Sequence, residues 1–175
     1  MYGDTTHCRQ AGFSLIEVLV TMVVLSIGLL GIAGMQASGL RNNHAAYTKT
    51  QATNLAIDMA ERIRANPQGK AEYVGFNSTE APGNPGCINS VSGCNAEQLA
   101  TYDMFEWSQP LNADPKPILP AGRGMVTQNG NQFTVTILWR EIAYQYEDNN
   151  IEFSQCVGIG NQAPDEACYQ LRFQP

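Results

Sequence analysis

The chain has 175 residues, enough for one domain plus an additional element. Hydrophobic residues make up 43% of it, which excludes a chain that is disordered throughout. The formal net charge of -6 is unevenly placed: residues 13–66 carry a net charge of +1, whereas residues 67–175 carry five basic and twelve acidic residues, a net charge of -7. An acidic C-terminal part disfavours binding to the phosphates of duplex DNA.

The N-terminal region combines a short polar stretch with a long apolar one. The first twelve residues are polar and contain one cation, Arg9. After Glu17, no charged residue appears until Arg41, which leaves residues 18–40 as an uncharged stretch of 23 residues. Because about 20 apolar residues cross a bilayer as a helix, this pattern predicts one membrane span near the N-terminus.

Three interpretations of this span compete, and Glu17 discriminates among them. A simple anchor or a secretory signal peptide, with small residues near Ala33 for cleavage, has no reason to carry a carboxylate in its apolar segment. A cleavage between Gly12 and Phe13 would create an amine one helical turn from Glu17. In a filament, the amine of one subunit can meet the glutamate of a neighbour, so neither charge is left unpaired in an apolar core.

The residues at this junction are similar to the class III signal of type IV pilins and pseudopilins: Gly12-Phe13-Ser14-Leu15-Ile16-Glu17, followed by the apolar run. The resemblance implies that a prepilin peptidase cuts after Gly12 and methylates the new terminal residue, Phe13. Glu17 corresponds to the glutamate that the family uses in assembly. One departure is the weakly basic leader around Arg9, where the family more often has clusters of lysine or arginine.

A helical pattern continues beyond the apolar stretch. Side chains at three- and four-residue steps form a stripe: Leu40, His44, Tyr47, Gln51, Leu55, Met59 and Ile63. Asn66-Pro67 is a stop signal, which predicts one helix from Phe13 to about Asn66. We therefore divide the chain into a leader (1–12), a transmembrane and filament-core helix (13–40), an amphipathic helix (41–67) and a globular head (68–175).

The end of this helix resembles that of PilV-type minor pilins, which commonly close it with an Arg-x-Arg-Ala-Asn signature, here Arg62 to Asn66. A simpler interpretation places Arg62 and Arg64 at the negative end of the helix dipole. The resemblance implies a minor pilin that primes pilus assembly and supports adhesion and twitching motility. Its partners would be other pilin subunits, the prepilin peptidase and the inner-membrane assembly machinery, with the head in the periplasm and then on the extracellular pilus.

Three other functions stay open. A type II secretion pseudopilin shares the N-terminal signal. A minor pilin for DNA uptake requires an exposed cationic patch on the head, which the charge distribution disfavours. A membrane-anchored periplasmic domain without a filament role leaves Glu17 unexplained.

Five cysteines are present, and Cys8 lies before the proposed cleavage point. Cleavage would leave two close pairs, Cys87 with Cys94 and Cys156 with Cys168, which suits disulfide bonds in an oxidising compartment. A zinc site is the alternative, but the cysteine spacings are longer than in most zinc knuckles. A bond between Cys156 and Cys168 would match the C-terminal disulfide loop of the pilin family.

The head is predicted to contain one helix and an antiparallel sheet. Residues 96–107 form the helix, with Leu99, Tyr102, Met104 and Phe105 as its buried candidates, and residues 110–120 form an extended connection. Strands follow at 124–128, at 133–140 and at 169–173, with a hairpin turn at residues 129–131 and a half-buried alternation in the second strand. The predicted fold class is α+β, a long N-terminal helix packed on an antiparallel sheet.

No enzymatic function is expected, because the sequence shows no nucleophile with a supporting base. Five carboxylates are expected to be solvated loop residues: Asp103, Glu106, Asp114, Asp165 and Glu166. Asp165 and Glu166 could join a calcium site, but the spacing lacks an EF-hand pattern, so neither a metal nor a cofactor is expected.

Overall fold

The computed structural model describes residues 12–140, residue 156 and residues 166–175. It divides into two compact units, Met1–His44 and Ala45–Pro175. The first helix, α1 (Leu15–Ala65), has residues in both units. The leader, including Cys8 and Arg9, lies outside the described residues apart from Gly12.

In the first unit, α1 exposes apolar side chains all around its axis. Large hydrophobic residues from Leu15 to Leu40 are 44% to 86% exposed, so the described residues of this unit leave them largely uncovered. Within the described residues, α1 is the one helix that is long and apolar enough to cross a membrane. A helix that is apolar on every side is typical of a membrane span, because soluble helices keep one polar face.

In the second unit, one face of α1 is buried in the core. The predicted stripe is confirmed at Leu55, Met59 and Ile63, whereas Tyr47 is 58% exposed. Four further positions on this face are small residues that allow the neighbouring elements to approach closely: Thr48, Ala52, Ala56 and Ala60. The helix ends at Ala65, next to the predicted stop signal.

The predicted helix of the head is longer than expected. Helix α2 (Ala96–Asn112) begins at a capping box, in which Asn95 and Gln98 accept hydrogen bonds from each other's backbone N–H groups. It continues past Trp107 and includes Pro110, so the expectation of an extended connection from residue 110 was wrong for its first three residues. Pro110 is tolerated in this last turn because Leu111 is buried and Asn112 donates a hydrogen bond to the Ser78 carbonyl oxygen, 2.7 Å away.

The buried face of α2 also differs from the prediction. Met104 is buried, but Leu99, Tyr102 and Phe105 are only half-buried. The face that packs into the core carries Ala100, Asp103, Met104, Trp107 and Leu111. Two short 3₁₀ helices, Lys70–Tyr73 and Ser78–Glu80, lie between α1 and α2 in the chain.

Three strands form an antiparallel sheet in the order β1 (Arg123–Asn129), β2 (Gln132–Arg140) and β3 (Glu166–Phe173). The hairpin between β1 and β2 is confirmed, and its first turn residue, Gly130, has φ +60. A positive φ at this position suits a type II′ turn, which glycine adopts without strain. The observed architecture, a long helix followed by an antiparallel sheet, is the predicted α+β fold of the pilin kind.

Strand β2 is buried on both faces along much of its length, whereas the sequence predicted burial on one face. Phe133, Val135, Ile137 and Trp139 face the core, as the alternation predicts, but Thr136 and Leu138 on the other face are buried as well. Two features of β1 and β3 lie on that second face. Cys168 is the register partner of Leu138, and a salt bridge of 2.8 Å joins Arg123 to Glu166 across the sheet. The second half of β2 is therefore covered on both sides.

Candidate processing and assembly site

The predicted processing junction lies immediately before α1. Gly12 and Phe13 precede the helix and are exposed, with Phe13 at 85%. The Ser14 carbonyl oxygen accepts the first backbone hydrogen bonds of the helix, from the amide of Glu17 at 3.0 Å and that of Val18 at 3.3 Å. The residues on both sides of the bond that is predicted to be cut are thus exposed.

Glu17 occupies the first turn of α1, where a carboxylate is stabilised by the positive end of the helix dipole. Apolar side chains of the same part of α1 line a shallow groove: Ile16, Leu19, Val20, Val23 and Val24. A single carboxylate at the edge of an apolar helix surface can recruit one cation from a partner. Cleavage after Gly12, methylation of Phe13 and pairing of Glu17 stay predictions.

The four remaining cysteines form two disulfide bonds in the structure, Cys87 with Cys94 and Cys156 with Cys168. The first bond closes a short loop directly before α2. The second ties residue 156 to β3, on the face of the sheet where Leu138 is buried. Among the residues that the structure describes, no group of three or more histidine, cysteine, aspartate or glutamate side chains is arranged to hold a metal ion.

The C-terminal end of α1 is attached to α2 by an ion network centred on Arg62. Its guanidinium donates to Asp58 on the same helix at 3.2 Å, to Asp103 at 3.1 Å and to Glu106 at 2.7 Å. Burial alone lowers the pKa of Arg62, but the hydrogen bonds to Glu106, Asp58 and Asp103 outweigh it and raise the pKa above its ordinary value. Arg62 therefore stays charged and links the two helices.

This network corrects the expectation that the carboxylates of the head are solvated loop residues. Asp103 and Glu106 lie on α2, and Asp103 is buried. Glu166 lies on β3 and forms the salt bridge with Arg123. Asp114 is exposed as expected, and Asp165 lies outside the described residues. Local spacing in the sequence does not predict these ion pairs, because each carboxylate and its arginine are some 40 residues apart in the chain.

Asn66 and Tyr73 are buried, and they add further hydrogen bonds to α2 beside the Arg62 network. The Asn66 side chain donates to the carbonyl oxygen of Ala96, 2.7 Å away, and accepts from the amide of Gly69 at 3.1 Å. The Tyr73 hydroxyl donates to the second carboxylate oxygen of Asp103. Asn66 thus does more than stop the helix, because it joins the end of α1 to the start of α2.

Arg64 makes a separate contact with the end of the chain. Its guanidinium lies 4.8 Å from the ring centroid of Phe173 on β3, and it donates to Glu61 at 2.5 Å. A cation over an aromatic face is worth about 0.5–1 kcal/mol at an exposed site. Arg62 and Arg64 were predicted to meet the helix dipole, but each also has specific partners in the head.

We expect alkaline pH to destabilise the second unit through Tyr73. Burial, and then the hydrogen bond to Asp103, raise the pKa of the Tyr73 hydroxyl above its ordinary value. The folded state therefore keeps this proton at pH values where the unfolded chain, with a tyrosine pKa of about 10, has lost it. The contribution of this proton to the free energy of unfolding is therefore complete below about pH 10 and decreases as the pH rises above that value.

The measurement is the thermal midpoint of the detergent-solubilised protein at about pH 9 and about pH 11, on either side of the ordinary tyrosine pKa. Tyr73→Phe should lower the midpoint at both values, because Asp103 loses a donor, and should flatten the decrease between them. Tyr102→Phe, a change of the same kind at a half-buried position, should leave that decrease unchanged. An equally steep decrease in Tyr73→Phe would refute the role of this proton.

Two protein-family models match parts of the chain, and the matched residues together extend from 7 to 105. Residues 34–105 match the family model described as type IV pilin Tt1218 (Tt1218-like). Residues 7–33 match the model of the prokaryotic N-terminal methylation motif. The first match covers the second half of α1 and most of α2, and the second covers the junction and Glu17.

No curated protein and no solved structure matches the chain. The two family matches agree with the observed arrangement, in which an apolar helix with an acidic first turn leads into an α+β unit. Residues 34–105 are therefore similar to the Tt1218-like type IV pilins, and residues 7–33 carry the prokaryotic N-terminal methylation motif, on an α+β fold of the pilin kind.

Proposed function

We propose that the chain is a minor pilin of the type IV pilus, of the PilV type. The observation that carries this proposal is the single carboxylate Glu17, within the matched methylation motif, at the start of an exposed apolar helix surface that is otherwise uncharged as far as Leu40. A helix of this kind is unstable in water and suits either a bilayer or a bundle of equivalent helices. Filament assembly is a transfer from the first environment to the second.

The proposed mechanism follows from charge pairing. Prepilin peptidase cuts after Gly12, and the amine of Phe13 becomes methylated and positively charged. In the membrane this end lies near the lipid headgroups, where a charge costs little. In the filament the amine of one subunit pairs with Glu17 of a neighbour, which removes the cost of burying either charge alone.

The head would face the periplasm before assembly and the outside of the cell afterwards. Two disulfide bonds suit both compartments, because both are oxidising. The Arg62 network and the Asn66 hydrogen bonds would hold the head on α1 while the filament is under load. By priming assembly together with other minor pilins, near the pilus tip, the protein would support adhesion and twitching motility.

The family match favours this function over a secretion pseudopilin, because its description is that of a type IV pilin. The charge of the head disfavours DNA binding, since only five basic residues lie among residues 67–175. Among the basic side chains described there, Arg123 is engaged with Glu166.

The test is the location of the protein and the phenotype of its loss. Antibodies against the head should label purified pili, near one end, and the protein should be present in sheared pili at a small fraction of the major subunit. A deletion strain should have fewer surface pili and reduced twitching, and both should be restored by the intact gene. Normal piliation in the deletion strain, with the protein found only in membranes, would contradict the proposal.

A further inference from the structure

The turn between β1 and β2 contains the one place in the sequence where an asparagine is followed by a glycine, Asn129-Gly130. All the residues of this hairpin tip, 127–132, are exposed, and none of them is charged. The nearest core residues are Val126 and Phe133, which flank the tip on the two strands. The tip is therefore accessible to water and is not shielded by the core.

Two groups at this tip are free of hydrogen bonds among the residues that the structure describes, the Asn129 side chain and the Gly130 amide. At Gly130 the carbonyl oxygen is engaged instead, since it accepts from the Gln128 side chain at 2.8 Å. The sheet pairs Asn129 with Gln132, so Gly130 and Asn131 are the two residues of the turn. The two unengaged groups are those that react when an asparagine side chain cyclises onto the next backbone nitrogen.

The glycine lowers the steric barrier to this cyclisation. A side chain on the residue after an asparagine crowds its backbone nitrogen, but Gly130 has none, and its surroundings are open. Its φ of +60 is one that glycine adopts without strain. Asn66 and Asn84 offer a contrast, because each precedes a proline, whose nitrogen carries no proton.

The fold opposes the cyclisation only weakly at this position. The backbone of Asn129 has to rotate to bring its side chain to the Gly130 nitrogen, and this rotation opens the residue pair of Asn129 with Gln132. That pair is the last one before the turn, and both of its residues are exposed. Local opening of exposed loop-end pairs costs much less free energy than opening of the core.

We propose that Asn129-Gly130 is a site of spontaneous deamidation, at which the protein gains a carboxylate without an enzyme. The Gly130 nitrogen attacks Cγ of Asn129 to form a succinimide ring, and Nδ2 leaves as ammonia with the proton of the Gly130 amide. Water then hydrolyses either ring carbonyl, which gives aspartate or isoaspartate. Because the attacking and attacked groups belong to adjacent residues, cyclisation is favoured over direct hydrolysis of the amide by water.

The reaction changes both the charge and the backbone of the tip. It adds one negative charge to the net charge of -7 of residues 67–175. In the isoaspartate product the chain continues through the former side chain, which lengthens the backbone by a methylene group where Asn129 pairs with Gln132. The reaction needs only water and this turn, so it does not depend on the proposed pilin function.

The first experiment follows positions 129 and 131 in the purified, detergent-solubilised protein during incubation at neutral and at mildly alkaline pH. Peptide mass spectrometry measures the converted fraction, and fragmentation distinguishes aspartate from isoaspartate. Asn131 is the internal control, because it is exposed in the same turn but precedes Gln132. We expect position 129 to convert at least about ten-fold faster, since a barrier lower by only about 1.4 kcal/mol has this effect. Its rate should rise with pH, because the Gly130 nitrogen attacks after losing its proton.

An engineered variant and an unfolded sample complete the test. Asn129→Gln keeps an amide at the tip but must form a larger ring, so conversion at this position should fall to the level of Asn131. In a parallel incubation in urea, the unfolded chain should convert no more than about ten-fold faster than the folded protein, because only one exposed pair has to open. Conversion at position 129 in urea alone, equal conversion at 129 and 131, or no conversion would overturn the proposal.

Discussion

Glu17→Val should abolish or strongly reduce the incorporation of the protein into pili while leaving its insertion in the membrane intact. Removing a carboxylate from an apolar segment makes insertion in the bilayer easier, not harder. In the filament, however, the amine of Phe13 on the neighbouring subunit would lose its partner. An unpaired charge in an apolar interior costs several kcal/mol. Because each 1.4 kcal/mol corresponds to a factor of ten in an equilibrium constant, we expect the incorporation of Glu17→Val into pili to decrease at least ten-fold.

The matched control is Thr21→Val, one turn further along α1. Thr21 is exposed, and its hydroxyl donates to the Val18 carbonyl oxygen at 2.8 Å, so the helix itself satisfies it. This variant also replaces a polar residue by valine in the same helix but removes no charge. It should assemble like the unsubstituted protein, as judged by immunoblots of sheared pili and membranes. Equal incorporation of Glu17→Val and Thr21→Val would contradict the pairing mechanism.

Trp107→Ala should have the largest effect on the stability of the second unit. The Trp107 side chain is 1% exposed, its indole nitrogen donates to the Leu55 carbonyl oxygen at 3.0 Å, and its ring meets Phe76 edge-on with centroids 5.8 Å apart. A cavity of this size typically costs about 3–5 kcal/mol. That is a large part of the total stability of a domain, so the protein should be degraded in cells or lose its cooperative unfolding transition.

The same site offers two further variants that distinguish packing from hydrogen bonding. A side chain at Gly124 on β1 would occupy the space of the Trp107 ring, so Gly124→Val should also destabilise the unit. Trp107→Phe keeps much of the packing and loses the hydrogen bond to Leu55, so its cost should be smaller, about 1–3 kcal/mol. Tyr102→Ala, at a half-buried position of α2, is the control. A Trp107→Ala protein as stable as Tyr102→Ala would show that α2 does not anchor on α1 through this residue.

The parts of the fold that sequence predicts well are those with a local cause. The uncharged stretch from residue 18 to residue 40 and the three- and four-residue steps at Leu55, Met59 and Ile63 specify α1, because a helix repeats every 3.6 residues. The alternation in β2 and the turn at Gly130 specify the hairpin, because strand side chains alternate and a type II′ turn requires a positive φ.

The predictions from sequence are wrong where contacts between residues that are distant in the chain determine the structure. Pro110 indicates a helix end, yet α2 continues because Leu111 and Asn112 find partners elsewhere in the unit. Sequence alone predicts that Asp103 and Glu106 are solvated, but in the structure both form ion pairs with Arg62, near the end of another helix. The second face of β2 is buried too, and the neighbouring strands carry an ion pair and a disulfide on that face, which no alternation pattern includes.

Processing of the chain as a prepilin is tested most directly by mass spectrometry of the mature N-terminus. The protein is purified from membranes and from sheared pili, and its N-terminal peptide is sequenced by fragmentation. We expect the first residue to be Phe13 carrying one added methyl group, with Cys8 removed together with the leader. A protein that still begins at Met1, or that begins near Gly34 as a cleaved secretory signal would leave it, would contradict the account.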